Sequence, residues 1–150
     1  MKLVSHNPKE TKKLAAHIAA KILSAPRRNH AIIVALEGEL GAGKTTFVQG
    51  FAKALGITQK IKSPTFLLIK SYTLKTKSYA LLYHIDCYRI YRSNELEPLE
   101  IRSIFKDPSA IVVIEWPECI KPILPRNRIK IHIDHIDEQT RKLDVNFQRF

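Results

Sequence analysis

Gly38-Glu39-Leu40-Gly41-Ala42-Gly43-Lys44-Thr45 is the stretch that decides how the rest of this chain is read. It satisfies G-x-x-x-x-G-K-[ST], a loop whose glycines let backbone N–H groups turn inward without Cβ clashes. Before it, Ala31–Glu37 is apolar and has the length of a buried strand. After it, Lys44–Leu55 places Phe47, Val48, Phe51 and Leu55 on one side of a helix. Strand, glycine turn and helix make half of an α/β unit, and the amino end of such a helix attracts phosphate. The residues expected to cradle a nucleotide's phosphates are therefore Gly38, Glu39, Leu40, Gly41, Ala42, Gly43, Lys44, Thr45 and Thr46. Lys44 is expected to reach the β- and γ-phosphates, and the Thr45 hydroxyl to hold Mg²⁺.

Working outward, all five glycines fall between Gly38 and Gly56, so backbone freedom is concentrated around this loop. Asn7-Pro8-Lys9-Glu10 reads as a helix start, with an Asn cap, Pro at the first position and Glu three residues after the cap. Leu14, Ile18 and Ile22 continue it for about four turns, until Pro26-Arg27-Arg28-Asn29. Phe66–Leu74 and Ser78–Ile85 read as two strands joined by Lys75-Thr76-Lys77, and Asn94–Phe105 as a helix in which Pro98 sits near the first turn or bends it. Ala110–Glu115 is a second buried strand. Arg128–Asp134 and Leu143–Phe147 alternate apolar and polar residues, as a carboxyl-terminal hairpin packed on one face would. The pattern predicts an α/β, three-layer fold with a largely parallel sheet and a C-terminal β-hairpin, in one domain spanning 1–150.

The bulk properties narrow the class further. No stretch approaches the ~18 apolar residues that cross a bilayer, and the amino terminus lacks a signal-peptide core. Two cysteines, Cys87 and Cys119, make neither a disulfide framework nor a zinc site, and fit a cytoplasmic location. The formal net charge of +11 would favour polyanions such as tRNA, yet the basic residues are spread without a block of five or six. A solvated basic surface explains them as well as a partner does.

Two strands end in an acid: Leu81–Asp86 in Asp86, and Ile111–Glu115 in Glu115. Parallel sheets bind ligands beyond the carboxyl ends of their strands. Either acid could anchor the metal, with the other positioning the attacking water; the alternative for each is a turn cap or an ion pair. Ser63-Pro64-Thr65-Phe66, between the loop's helix and the next strand, is on its own only a turn signal, although P-loop hydrolases often supply a threonine from such a segment.

Taken in order, GELGAGKTT (38–46), SPTF (63–66), HIDCYR (84–89), EWPE (115–118) and Leu124-Pro125 resemble the TsaE family, formerly YjeE, over nearly the whole chain. The resemblance implies a Mg-dependent P-loop ATPase that serves tRNA N6-threonylcarbamoyladenosine modification together with a TsaD-like transferase and its TsaB-like paralogue, without itself transferring the group. By that likeness Asp86 matches the Walker-B-type acid and Thr65 the switch-loop threonine. Glu115 and Trp116 match the acid–tryptophan pair near the nucleotide. The expected catalytic residues are thus Asp86, Glu115 and Lys44, the metal ligands Thr45, Asp86, Glu115 and Thr65, and Trp116 joins the ATP site. tRNA contact is implied indirectly, and direct contact is left open. The chain departs from the family at Glu39, at Cys87 and at Glu100, which stands where glycine is frequent.

Other residues keep two readings. His84 shares a strand face with Asp86 and is either a proton carrier or a hydrogen-bonded structural residue. Arg89 reaches a phosphate or holds a carboxylate, and Trp116 lies by the nucleotide or fills the sheet edge. His132, Asp134 and His135 look like metal ligands by composition but fall on the polar phase of a hairpin strand, which points to a solvated face. Two rival functions share the loop. A small kinase would need an acceptor pocket and an arginine-bearing lid, for which 150 residues leave little room. A basic nucleic-acid-binding module would use ATP only as a structural ligand.

Overall fold

The computed structural model describes residues 1–63, 69–89 and 100–148. Its strands are β1 (Lys2–Ser5), β2 (Ile32–Glu37), β3 (Ile69–Thr73), β4 (Leu81–Asp86), β5 (Ala110–Glu115), β6 (Arg128–His135) and β7 (Arg141–Gln148). The helices are α1 (Pro8–Ser24), α2 (Lys44–Ala54) and α3 (Ile101–Lys106), with a 3₁₀ turn at Pro117–Ile120. All seven strands form one sheet in the order β1-β7-β6-β2-β5-β4-β3.

The middle of that sheet, β6-β2-β5-β4, is parallel, and both edges are antiparallel. The parallel strands β2 and β5 read IIVALE and AIVVIE and are buried throughout except at Glu37, as strands covered on both faces must be. Strand β6, between β2 and β7, instead alternates buried Ile129, Ile131 and Ile133 with partly exposed Arg128, Lys130, His132 and Asp134. The parallel centre aligns the carboxyl ends of β2, β4 and β5 at one rim, and the glycine loop opens there.

Helices α1 and α2 cover one face. Their core includes Ile18, Ile22, Phe47, Phe51, Val34, Leu82 and Val113, all fully buried. Phe47 and Phe51 stack one helical turn apart, with ring centroids 6.1 Å apart. Complete burial of each is worth about 2–3 kcal/mol. The opposite face is covered by α3 and the Pro117–Ile120 turn, around Ile33, Ile85, Val112, Ile114 and Ile101. The expected start of α1 is present: the Asn7 side chain accepts from the Glu10 amide at 2.9 Å, and a Glu10 oxygen accepts from the His6 amide at 2.7 Å.

Three expectations change. A helix running unbroken over Asn94–Phe105 is excluded by Glu100, whose φ of 53° is left-handed; α3 begins only at Ile101. Positions 90–99 lie outside the described residues. The link between β3 and β4 is longer than Lys75–Lys77, closing where the Leu74 amide donates to the Ala80 carbonyl at 2.7 Å. Strand β1, which no sequence signal indicated, pairs with β7 at the sheet edge.

Candidate functional site

The loop between β2 and α2 holds its shape against the terminal hairpin. Gly38 has a φ of 145°, and a Cβ there would lie 2.5 Å from the Ile133 carbonyl oxygen, so no other residue fits. From β7, Arg141 Nε donates to the Ala42 carbonyl at 3.0 Å, while its Nη1 donates to the Asp137 and Thr140 carbonyls at 2.7 and 3.0 Å. One guanidinium thus ties the glycine loop to the β6–β7 turn. No local pattern announces a contact spanning 99 residues, and the sequence reading passed over Arg141.

Lys44, the first residue of α2, folds back into the loop. Its Nζ donates to the Gly38 carbonyl at 2.6 Å and the Glu39 carbonyl at 2.9 Å, and stands 3.9 Å from the centroid of the Trp116 ring. Burial pushes its pKa below the usual 10.5, against the opposing pull of Glu115, Glu118 and Asp86. Trp116 reaches this position through a left-handed backbone, φ 59°, directly after β5. In a non-glycine residue such a conformation costs on the order of 1–3 kcal/mol. Tyr88 tilts against its ring at 5.1 Å.

The two acids meet. Asp86 and Glu115 are cross-strand partners at the ends of parallel β4 and β5, and both are buried. Glu115 receives two contacts: the Thr45 hydroxyl, 3.3 Å from each carboxylate oxygen, and His84 Nε2 at 2.8 Å from Oε1. Asp86 accepts from the Ser63 hydroxyl and, at 3.0 Å, from the Tyr88 amide. Ordered donors of this kind compensate for the burial of two carboxylates. Buried His84 has no partner for Nδ1 among the described residues. Its expected place on the Asp86 face holds, and its contact is with Glu115.

Leu40, Gly41, Gly43, Lys44, Thr45, Thr46, Ser63, Asp86, Tyr88, Arg89, Glu115 and Trp116 line one cleft of about 440 Å³. All the expected loop residues except Gly38, Glu39 and Ala42 border it, and those three shape the loop itself. Thr65 lies outside the described residues. The donors facing the cleft suit a nucleotide with a hard divalent cation: a lysine, a threonine hydroxyl and two carboxylates, with no thiolate lining it. Buried Cys87, its thiol pKa pushed far up by desolvation, stays outside this set. His132 and Asp134 do not join the site. They pair with each other at 3.0 Å in a half-exposed position, and Glu37 takes Lys130 at 3.0 Å beside them. No group of three histidine, cysteine, aspartate or glutamate side chains placed to hold a metal ion occurs among the described residues.

A parallel-centred sheet with this loop on its central strand, opening onto a helix beside two strand-end acids, is the P-loop fold of the nucleotide-binding proteins. Within that class the chain belongs to the TsaE family of tRNA threonylcarbamoyladenosine biosynthesis proteins. The family's sequence profile, described as "Threonylcarbamoyl adenosine biosynthesis protein TsaE", matches residues 5–143. The chain is 38% identical over 137 residues to the TsaE protein of Bacillus subtilis (strain 168), covering 91% of this chain and 79% of that one. It is 40% identical over 119 residues to the Haemophilus influenzae protein, covering 79% and 73%. The crystal structure of Bacillus subtilis YdiB superposes with a TM-score of 0.78 at 32% identity, over 99% of this chain and 85% of that one. No helix among the described residues is long and apolar enough to cross a membrane.

Proposed function

We propose that the chain, acting as one domain over its 150 residues, is a Mg-dependent ATPase that serves as the accessory subunit of a TsaD-like transferase and its TsaB-like paralogue in the cytoplasm. The observation that carries this reading is the convergence of Lys44, Thr45, Asp86 and Glu115 on one cleft below the glycine loop. Residues Gly38 to Thr46 would cradle the phosphates through backbone N–H groups, with Trp116 packing beside them. Thr45, Asp86 and Glu115 would hold Mg²⁺, together with Thr65, and the ion would neutralise charge on the transferring phosphate.

The chain's own groups supply the remaining work. On binding, Lys44 Nζ exchanges the Gly38 and Glu39 carbonyls for phosphate oxygens, a stronger acceptor for an ammonium already partly stripped of water. His84 fixes one Glu115 oxygen from behind, which leaves the carboxylate's other lone pairs directed at the cleft. Ser63 performs the same service for Asp86. Of the two acids, Asp86 accepts from Ser63 and is assigned the principal metal role, with Glu115 orienting the attacking water.

Calorimetric titration with Mg-ATP tests the phosphate assignment. Lys44→Ala should lose affinity by about 10–100-fold, the worth of charge-assisted bonds to phosphate. Asp86→Ala should retain most ATP binding while losing turnover, and unaltered hydrolysis in that variant would move the metal role to Glu115. Threonylcarbamoyladenosine in bulk tRNA from depleted cells should return with the wild type and fail to return with Lys44→Ala. Undiminished nucleoside after full depletion would overturn the accessory role.

A further inference from the structure

On the helical face, away from the loop, lies a second cleft of about 620 Å³ lined by Lys12, Gln49, Lys53, Gly56, Ile57, Thr58, Gln59, Lys60 and Ile61. No acidic residue lines it. The mixed cleft beside Trp116 differs in this respect, since Glu37, Glu39 and Glu118 share its lining with Lys121, Arg128 and Lys130. All three lysines of the second cleft are exposed, and none forms an ion pair among the described residues.

The fold brings these lysines together by a close crossing. A Cβ on Gly50 would lie 2.5 Å from Lys12 Cα, so α1 and α2 touch backbone to backbone there. That contact sets Lys12 beside Lys53, one turn beyond Gly50 on α2. The third lysine is carried by the segment after α2, which is pinned at two points: Gln49 Nε2 donates to the Ile61 carbonyl at 3.2 Å, and Ser63 donates to Asp86. Apolar Ile57 and Ile61 are buried beneath it. The lysines therefore stand on a fixed frame, with amide and hydroxyl groups between them.

The geometry points to this cleft as a docking site for the phosphodiester backbone of RNA. Three ammonium groups interleaved with the polar side chains of Gln49, Thr58 and Gln59, with no aromatic ring to stack a base, suit backbone contact without sequence readout. RNA is favoured over an acidic protein because the family works in tRNA modification, and the net charge of +11 steers the chain to the same kind of partner. The inference goes beyond the ATPase reading, and none of the residues lining this cleft is assigned to that reading.

The test is fluorescence anisotropy of a labelled, unmodified tRNA transcript at a series of salt concentrations. A triple variant, Lys12→Glu, Lys53→Glu and Lys60→Glu, is compared with a control of equal net charge, Lys75→Glu, Lys77→Glu and Lys106→Glu. A milder triple Gln variant at the same three positions guards against misfolding. The cleft variant should bind at least tenfold more weakly than the control, and its salt slope should fall by about 2–3, at roughly 0.7–0.9 per lost phosphate contact. Equal loss in cleft and control variants would overturn the proposal and reduce the effect to overall charge. Polyglutamate binding that matches the transcript in affinity and salt slope would also overturn it, in favour of an acidic protein partner. Mg-ATP binding is measured on the same samples. If the wild type fails to bind ATP, the previous reading falls while the RNA comparison stands.

Discussion

Two close histidine–carboxylate pairs on this sheet invite comparison, one joining parallel β4 and β5 and one made within β6. His84 and Glu115 meet at 2.8 Å with side-chain exposures of 0% and 4%; His132 and Asp134 meet at 3.0 Å with 45% and 43%. The chemistry and distance are nearly the same, and the surroundings differ completely. The inner pair has further partners, Thr45 among them, and borders the glycine loop. The outer pair faces solvent, where an ion pair is worth about 0–1 kcal/mol. Residue types alone therefore do not make a site. Burial with convergent donors does.

The strongest way to break this comparison is to remove the histidine from each pair. His84→Leu should destabilise the fold by about 3 kcal/mol, because it leaves a buried carboxylate short of a donor. His132→Leu should change stability by less than about 0.5 kcal/mol. Urea denaturation of both variants decides the matter, and equal losses would show that burial does not distinguish the pairs.

A smaller effect sharpens the same contrast through the backbone. Trp116 and Glu100 are the two non-glycine residues with left-handed φ among those described, 59° and 53°. At Glu100 no side-chain hydrogen bond or ion pair occurs among the described residues, so Glu100→Gly should leave stability unchanged or raise it by up to about 1 kcal/mol. At Trp116 the same relief would come with loss of the ring over Lys44, and Trp116→Gly should weaken nucleotide binding by calorimetry.

The smallest effect concerns the exposed β6–β7 turn. Asp137 Oδ1 accepts from the Gln139 and Thr140 amides at 2.9 and 2.7 Å, and these bonds hold its pKa below the usual 3.8. A depressed carboxyl contributes stability above its unfolded pKa and loses it as pH falls through the folded value. The stability difference between wild type and Asp137→Asn should therefore be constant above about pH 5 and shrink below the ordinary 3.8. Because the donors are backbone amides, added salt should alter that difference little. A strong salt dependence, read by denaturation at two ionic strengths, would assign it to Arg141 instead.

Legibility in the sequence followed the range of the interaction. The glycine loop, α1 with its Asn7 cap, the buried strands β2 and β5 and the terminal hairpin all rest on neighbours within a few residues, and periodicity displays them. Asp86 and Glu115 were legible as strand ends, while their cross-strand adjacency required the order of the sheet. Arg141 on Ala42, Ser63 on Asp86 and β1 on β7 depend on contacts distant in sequence, and nothing local encodes them. The break before α3 had a faint signal: the family resemblance implies glycine at position 100, and the left-handed backbone there is of the kind glycine favours.

Trp116 is the one tryptophan in the chain, and its ring lies 3.9 Å from the Lys44 ammonium. The protein therefore carries its own optical probe. All of its indole emission originates beside the cation that, under the proposed function, would leave the loop carbonyls for phosphate. A nucleotide titration followed at tryptophan wavelengths would test for that departure with no label, no partner and no coupled assay.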